Sequence, residues 1–216
     1  RRDVKIDSAA FVNLANNKEF IKSLGLNAST LEGYLFSKTY KLYENTSPEE
    51  ALQLFYKGFT DFFVDSLKQR AKKIGFTVHQ VLTLASIIKG ETNQADEMPT
   101  ISAVYHNRLR IGMSLQADPT IQYLLPGGWR RLTYADLKID SPYNTYKYAG
   151  LPPGPINNPG KNAIIAALYP EKNNYLYFVA GGNGGHKFAK SYSKDLKNVA
   201  NLDGIERSLK ILGKHL

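Results

Sequence analysis

The sequence predicts an α+β fold in which helices predominate. Apolar residues recur at helical spacing through most of residues 8–125, and two capping-box patterns mark where helices begin. Residues 174–180 alternate instead and are rich in aromatic side chains, which is typical of a strand. We find no internal repeat and no low-complexity tract.

The N-terminal part of the chain is predicted to form short helices. Apolar side chains recur at helical spacing within residues 8–24. A turn-rich stretch, residues 25–29, then leads into the segment Leu31–Phe36.

The clearest helix start lies at Ser47. This N-cap residue is followed by Pro48 at the first helical position and by the capping-box carboxylate of Glu50. One apolar stripe continues from there, and the helix is expected to end near Gly75. The stripe consists of Leu54, Phe55, Phe59, Phe62, Phe63 and Leu67.

Two further helices are predicted in the middle of the chain. Thr77 and Gln80 form a second capping box, which opens a helix that extends to about Glu91. The next helix covers Pro99–Arg110 and ends at Gly112.

The segment after this helix is predicted to be mostly loop. Asp118 is expected to cap a short helix that extends through Leu125. Residues 126–160 are rich in Pro, Gly, Tyr and Asn, which favours a long loop. Asn158-Pro159 then starts a helix through Leu168.

A hairpin and a last helix complete the predicted fold. The strand at 174–180 is expected to turn at Asn183-Gly184 and to pair with His186–Phe188. The final helix is predicted from about Asp195 to Leu212.

Length and composition limit the classes of protein. The 216 residues suit one domain of moderate size, or one domain with a small appendage. The absence of cysteine excludes thiol catalysis, Cys-ligated zinc and a disulfide scaffold. No apolar run approaches the roughly 18–20 residues of a membrane span. A net charge of +9 favours anionic neighbours such as nucleic acid, phospholipid or another acidic polymer. The chain opens on Arg1, without an initiator methionine, so we expect it to be part of a longer protein.

Several chemistries find no support in the motifs. The glycine cluster at 181–185 fits neither the GxGxxG pattern nor a P-loop, and a hairpin turn is the preferred interpretation. The four histidines are scattered, so no metal site and no cofactor are predicted. A GxSxG nucleophile motif is absent.

Glu91 is the first candidate catalytic residue. The helix that begins at Thr77 is apolar on one side, through Leu84, Ile87 and Ile88. Glu91 follows these residues at spacings of seven, four and three, so its carboxylate falls on or beside the apolar face. Burial and the negative end of the helix dipole both raise the pKa of such a carboxyl, as a general acid requires. Position alone favours the alternative, in which the helix end frays and Glu91 is solvated.

Polar and aromatic residues suited to a sugar site follow Glu91 in the sequence. Amides can bond hydroxyl and N-acetyl groups, and rings can stack on pyranose faces. Ordinary loop chemistry explains the Asn and Pro residues equally well. The set comprises Thr92, Asn93, Gln94, Asn107, Gln116, Asp118, Tyr143–Tyr146 and Leu151–Pro155.

Six sequence blocks in a fixed order carry a resemblance. They are Ala85–Thr92, Asn107–Met113, Leu115–Thr120, Tyr143–Tyr146, Gly150–Ile156, and Tyr175–Ala180 with Gly184–Phe188. Together with Leu31-Glu32-Gly33, these blocks resemble the endolytic murein transglycosylase family, also called MltG or YceG-like. The resemblance covers about residues 31–200.

The resemblance implies a lyase that acts on peptidoglycan. Such an enzyme cuts glycan strands internally, between N-acetylmuramic acid and N-acetylglucosamine, and leaves a 1,6-anhydro end. It implies no metal or cofactor. Glycan strands are the implied substrate, peptidoglycan synthases are candidate partners, and nucleic acid is not an implied partner.

The family also implies a location and a domain organisation. Its members carry an N-terminal transmembrane helix and a LysM-like subdomain ahead of the catalytic part. We therefore expect the parent protein to be a single-pass protein of the bacterial inner membrane, with its catalytic domain on the periplasmic side. Residues 1–46 are then an accessory segment, a remnant of the LysM-like subdomain, and residues 47–216 are the catalytic domain.

The family motifs assign site residues in this sequence. Glu91 matches the catalytic glutamate, which donates a proton to the glycosidic oxygen and then accepts one from the muramic acid O6. Because that hydroxyl belongs to the substrate, attack is intramolecular and favoured by proximity. The candidates for holding the sugar or orienting Glu91 are Gln116, Asp118, Asn144 and Tyr146, with Glu32 and His186 as outer candidates. Asp118 has an alternative role as the N-cap before Pro119.

The sequence departs from the family pattern beside Glu91. The family helix usually reads Glu-(Lys/Arg)-Glu-Thr, whereas this chain has Lys89 and Gly90 ahead of Glu91. The departure leaves one candidate acid on this turn. Gly90 is expected to weaken the end of the helix.

Two other functions remain open at this point. One is a peptidoglycan-binding module in which Glu91 is inert. The other is a nucleic-acid-binding surface that combines basic and aromatic side chains. Its members would be Lys72, Lys73, Arg108, Arg110, Arg130 and Arg131 with Tyr105, Trp129 and Tyr134.

Overall fold

The structure, a computed structural model, describes residues 6–181 and 185–211, with side chains as far as residue 201. Within these residues the chain is helix-rich with one two-stranded sheet, which confirms the predicted α+β class. The elements are α1 (Ser8–Ala15), α2 (Lys18–Ser23), α3 (Pro48–Phe62), α4 (Asp65–Lys73), α5 (Val78–Glu91), α6 (Met98–Arg110), α7 (Asp118–Gln122), a 3-10 helix (Asp136–Lys138), α8 (Gly160–Leu168), β1 (Tyr177–Ala180), β2 (His186–Ala189) and α9 (Tyr192–Ile211).

Both predicted capping boxes are present. At the start of α3, the Ser47 hydroxyl accepts a hydrogen bond from the Glu50 N–H, and the Glu50 carboxylate accepts one from the Ser47 N–H. At the start of α5, Thr77 and Gln80 exchange the equivalent pair of bonds. Each box satisfies two of the N–H groups that a helix start leaves unpaired, which explains why both starts lie where the sequence places them.

The single helix predicted after Ser47 is two helices. Helix α3 ends at Phe62, and α4 begins at Asp65. Phe63 leaves helical geometry (φ −85°, ψ 63°) and is buried, with its ring centroid 5.3 Å from that of Phe59. Leu54, predicted on the stripe, is instead exposed. The chain changes direction at Phe63 and Val64, so that Phe63 is buried while Val64 is exposed, and the apolar periodicity does not encode this change of direction.

Helix α5 is the central helix of the fold. Its eight consecutive residues Val81–Ile88 are all buried, so it is covered on every side. Helix α8 packs along it, and α6 and α7 cover other faces. A helix that is buried all round reaches solvent only at its ends. The C-terminal end of α5 is therefore where a polar residue, Glu91, emerges from the core.

The N-terminal helices form a small cluster of their own. Phe20 and Ile21 of α2 pack with Leu31 and with Leu52 of α3. The segment after them is bonded to the rest of the chain, because the Asn158 side chain accepts hydrogen bonds from the N–H groups of Gly33 (2.8 Å) and Leu35. A domain boundary at residue 46 stays a prediction.

The hairpin is shorter than predicted and the last helix begins earlier. β1 pairs antiparallel with β2, with Phe178 opposite Phe188, and it begins at Tyr177 rather than at residue 174. The predicted Asn183-Gly184 tip lies outside the described residues. Helix α9 begins at Tyr192, three residues before Asp195. Among the described helices, none combines the length and apolarity that crossing a bilayer requires.

Gly33 is a position where the fold requires glycine, and it supplies a stability prediction. Its φ is +85°, and a Cβ there would lie 2.4 Å from Cγ of Pro155, whose ring cannot swing aside. Gly33→Ala is expected to lower the free energy of unfolding by about 3 kcal/mol, from left-handed strain and overpacking together. Urea unfolding measures the loss. Gly75→Ala is the control, since Gly75 has φ +78° with nothing within 4 Å, so only about 1 kcal/mol of strain is expected. Equal losses in both variants would contradict the Pro155 contact.

Candidate active site

Glu91 is the last residue of α5 and lies half-buried at the core surface. The hydroxyl of Tyr105, on α6, donates a hydrogen bond of 2.5 Å to Glu91 Oε1. Tyr105 itself is 1% exposed, so this donor is held in place by the core. One carboxyl oxygen is thus engaged by the protein, and Oε2 is the atom left to carry a proton.

The surroundings of Glu91 favour its protonated form. The pKa of the Glu91 carboxyl is raised to about 7, mainly by burial and to a smaller extent by the negative charge of Asp118. The Tyr105 hydrogen bond and the Arg108 charge act in the opposite direction but do not outweigh burial. A pKa near 7 gives both the acid and the carboxylate sizeable populations at neutral pH, which suits a group that first donates and then accepts a proton.

A cavity of about 380 Å³ opens beside Glu91. It is lined by Glu91, Arg108, Gln116, Asp118, Tyr146, Phe178, Val179, Ala180 and His186. Four of the six predicted substrate-binding residues therefore share one cavity with the predicted acid. A larger cavity of about 750 Å³, between Lys18, Lys22 and His79, is lined by no carboxylate. The smaller cavity is the candidate active site because the titratable groups converge there.

Gln116 reaches the cavity from a strained backbone. Its φ is +47°, a left-handed value that no other non-glycine residue of the described chain adopts. The neighbouring loop holds this geometry: the Gln116 N–H donates to the Thr145 carbonyl (3.0 Å), and the Ala117 N–H donates to Thr145 Oγ1. Strain that surrounding bonds maintain is a feature of functional sites.

The structure corrects the alternative role of Asp118. Ala117 is the N-cap residue of α7 and Asp118 is the first helical residue, with no side-chain cap bond. The Asp118 carboxylate instead accepts a hydrogen bond from the Tyr146 hydroxyl. Burial and the Asp118 carboxylate raise the pKa of Tyr146. The short helix ends at Gln122, not at Leu125.

Gly90 brings α7 next to Glu91. A Cβ at position 90 would lie 2.5 Å from Cβ of Pro119, so only glycine lets the two helices approach this closely. Gly90 therefore allows Pro119, the neighbour of Asp118, to pack against the end of α5 that carries Glu91. Lys89 bonds to Asn93 and does not line the cavity.

Asn144 and Glu32 lie outside the cavity. Asn144 is fully buried, its amide group donates to the carbonyls of Leu137 (3.0 Å) and Ile139 (2.7 Å), and its Oδ1 accepts from the Tyr146 N–H. Its contacts thus shape the loop that carries Tyr146. Glu32 accepts a hydrogen bond from the Tyr123 hydroxyl (3.1 Å), and burial raises the pKa of its carboxyl.

Tyr105, Arg108 and Glu97 contact the candidate site and were not predicted from the sequence: Tyr105 bonds Glu91, Arg108 lines the cavity, and Glu97 bonds His186. Arg108 is buried, with Nε donating to the Leu176 carbonyl (2.7 Å) and Nη1 to the Leu115 carbonyl. Arg108 therefore connects the two chain segments, before β1 and before α7, that form the walls of the cavity. The spacing of Tyr105 and Arg108 on the inner face of α6 is the signal that could have identified them.

This placement removes members of the proposed nucleic-acid surface. Tyr105 and Arg108 are interior residues. Arg130 forms a bidentate ion pair with Asp136, at 2.6 and 2.8 Å. Among the described residues, no three His, Cys, Asp or Glu side chains are grouped as a metal site requires.

Comparisons with known proteins give one consistent family. The profile of the YceG-like family matches residues 5–201. An endolytic murein transglycosylase from Bacillus subtilis (strain 168) is 40% identical over 202 residues, which are 89% of this chain and 55% of that protein. One from Streptococcus pneumoniae serotype 2 (strain D39 / NCTC 7466) is 32% identical over 212 residues, 91% of this chain and 38% of that protein. The chain thus spans about half or less of these relatives.

A solved structure has the same fold. The crystal structure of a yceG-like protein from Listeria monocytogenes matches with a TM-score of 0.80 at 36% sequence identity. The match covers 88% of this chain and 67% of that one.

Proposed function

The chain belongs to the YceG-like family, and we propose that it is the catalytic part of an endolytic peptidoglycan lytic transglycosylase. The proposed reaction cuts the bond between N-acetylmuramic acid and N-acetylglucosamine inside a glycan strand and forms a 1,6-anhydro-muramyl end. Two curated relatives carry the name endolytic murein transglycosylase, which supports this reaction class.

The observation that carries the proposal is the state of Glu91. A carboxyl whose pKa is raised to about 7 by burial, at the edge of an open cavity, is a group poised to donate a proton near neutral pH. Its main hydrogen-bond partner is the Tyr105 hydroxyl rather than a cation, which would have lowered the pKa further.

In the first half of the reaction, protonated Glu91 donates from Oε2 to the glycosidic oxygen. The bond from the muramyl C1 to that oxygen breaks, and the N-acetylglucosamine part of the strand leaves with the proton. In the second half, the muramyl O6 bonds to C1 and its proton passes to the Glu91 carboxylate. Atoms and charge balance without water, and Glu91 ends in the state in which it began.

The residues that line the cavity can stabilise charge and bind the sugar in this proposed reaction. Asp118, which accepts from Tyr146, places negative charge near the positive charge that develops at C1. The Gln116 amide can bond sugar hydroxyl or acetamido groups. A cavity of about 380 Å³ is at the small end for ligand sites, so a strand must continue beyond it on both sides. Glu32 and Asn144 are proposed to act from outside the cavity: Glu32 contacts the strand, and Asn144 holds the loop that carries Tyr146.

The wider setting is also a proposal. We propose that the parent protein is anchored in the bacterial inner membrane by an N-terminal helix, acts on the periplasmic side and works beside peptidoglycan synthases. Residues 1–46 are proposed to be an accessory segment related to a LysM-like subdomain, and residues 47–216 the catalytic domain.

A digest of purified peptidoglycan tests the proposed reaction. Mass spectrometry of the products from the wild type should find internal 1,6-anhydro ends, and Glu91→Gln should produce far fewer of them in the same time. Reducing ends in place of anhydro ends would mean hydrolysis, and would assign the base role to Asp118, the other carboxylate that lines the cavity. Binding to sacculi without any cleavage would indicate a binding module.

A further inference from the structure

Glu97 occupies the N-cap position of α6 but does not cap the helix. A carboxylate at this position ordinarily accepts a hydrogen bond from an N–H group of the first turn. Here Oε1 accepts from the His186 N–H (2.8 Å) and Oε2 from His186 Nδ1–H (2.7 Å). Both carboxylate oxygens of Glu97 therefore bond a residue that is 89 positions away in the sequence. The start of α6 has no side-chain cap bond.

This pair fixes the imidazole of His186 at the edge of the active-site cavity. The two side chains are only 13% and 17% exposed. The ring packs edge-to-face on Phe178 (5.4 Å between centroids), and Phe178 packs edge-to-face on Tyr105, the residue that bonds Glu91. Since Nδ1 faces Glu97 and the ring planes are held, Nε2 is the one ring nitrogen left for the cavity that His186 lines.

Besides the Gln116 amide, most side-chain donors that surround the cavity among the described residues are already bonded within the protein. The hydroxyls of Tyr105 and Tyr146 donate to Glu91 and Asp118, and Nε and Nη1 of Arg108 donate to backbone carbonyls. The strand, by contrast, presents carbonyl oxygens on its N-acetyl groups and a carbonyl or carboxylate on each muramyl lactyl group. In a doubly protonated imidazole both ring nitrogens donate, so Nε2 can bond such an oxygen while Nδ1–H stays bonded to Glu97, and hydrogen bonds of this charge-assisted kind are the strong ones.

We propose that His186 binds a carbonyl or carboxylate oxygen of the glycan strand through Nε2, and that Glu97 is the positioning residue that holds the imidazole for this contact. The proposal rests on the proposed function, which supplies the glycan. Glu97 touches His186 and not the substrate, so its effect on binding passes entirely through the histidine.

Binding measurements in the Glu91→Gln background test the proposal without turnover. The probe is glycan strands freed of stem peptides, with affinity measured by calorimetry. His186→Gln and Glu97→Gln are each expected to weaken binding about tenfold or more, the usual effect of losing a hydrogen bond to a charged group. Glu171→Gln is the matched control, because Glu171 is another glutamate next to the start of α6, but its carboxylate bonds Thr100 rather than His186.

A second probe separates the two sources of oxygen. Chito-oligosaccharides carry N-acetyl groups and no lactyl group. If the two variants weaken binding of both probes, the contact is to an N-acetyl carbonyl; if they weaken only the muramyl strands, it is to the lactyl group. Unchanged affinity for both probes overturns the proposal.

A double-mutant cycle separates positioning from a structural role. In the His186→Gln background, the added change Glu97→Gln should cause no further loss of affinity, because the whole effect of Glu97 on binding passes through the imidazole. Additive losses would mean that Glu97 only secures the hairpin against α6, and would overturn its role here. Glu97→Asp provides a second test of the cycle should the Gln variant fail to fold. Because no turnover is needed, failure of this proposal is distinguishable from failure of the lyase reaction, which shows as missing anhydro ends in the wild type.

Discussion

Replacing Glu91 with Gln is expected to slow glycan cleavage by about 10³-fold, within the range that general acid–base catalysis contributes. Gln preserves the shape of the side chain and can still accept the hydrogen bond from Tyr105, so the cavity should keep its form. What the variant loses is the proton that the glycosidic oxygen must receive. Initial rates on peptidoglycan strands of uniform length measure the effect.

The pH dependence of the wild type is the sharper part of this prediction. The pKa of Glu91 is raised to about 7 in the folded protein, and in the proposed mechanism the acid form starts the reaction. The rate should therefore be high below pH 7 and fall about tenfold per unit above it. The residual rate of Glu91→Gln should lack this basic limb. A limb that persists in the variant, or a wild-type midpoint near the ordinary glutamate value, would contradict the assignment.

Glu32→Gln is the matched control for the pH profile. Glu32 is another glutamate whose pKa is raised by burial, but it lies outside the cavity. If the basic limb reports Glu91, its midpoint should stay in place in Glu32→Gln, whatever happens to the Michaelis constant. If the midpoint of the basic limb moves in Glu32→Gln, the limb does not report the ionisation of Glu91 alone.

Local rules explain the part of the fold that the sequence predicted. A capping box satisfies backbone N–H groups within four residues, so the starts of α3 and α5 could be identified from Ser47 and Thr77 alone. The break at Phe63 could not, because the apolar periodicity continues through it and the pattern does not encode how Phe63 packs into the core of the folded chain. Tertiary packing overrides local pattern at such positions.

The same distinction separates the site residues. The location of Glu91 beside the apolar face could be predicted because it is set within one helix, and the family resemblance then made it the candidate acid. Glu97 could not, since its partner His186 is 89 residues away and its position suggested only a helix cap. The packing role of Gly90 could not be predicted for the same reason: helix propensity considers only the local helix, while the contact with Pro119 of another helix leaves no room for a Cβ.

Tyr105→Phe is expected to move the basic limb of the pH profile upward and to lower the rate about ten- to a hundredfold. The Tyr105 hydrogen bond lowers the pKa of Glu91, so its removal should raise that pKa above about 7. The same change frees Oε1 and leaves the carboxyl without its fixed orientation, which costs rate because hydrogen bonds to charged groups contribute about 1.5–3 kcal/mol. Rates of both proteins from pH 5 to pH 9 measure the two effects together.

Tyr34→Phe separates a catalytic effect of Tyr105 from a general loss of stability. Tyr34 is also a buried tyrosine with one side-chain hydrogen bond, to His79 at 2.9 Å, but it lies outside the cavity. Both variants should lose a comparable free energy of unfolding, and only Tyr105→Phe should shift the limb. The loss of rate in Tyr105→Phe should also shrink at high pH, because more of its Glu91 stays protonated there than in the wild type. A downward shift, or no shift, would mean that the 2.5 Å bond does not control the proton on Glu91.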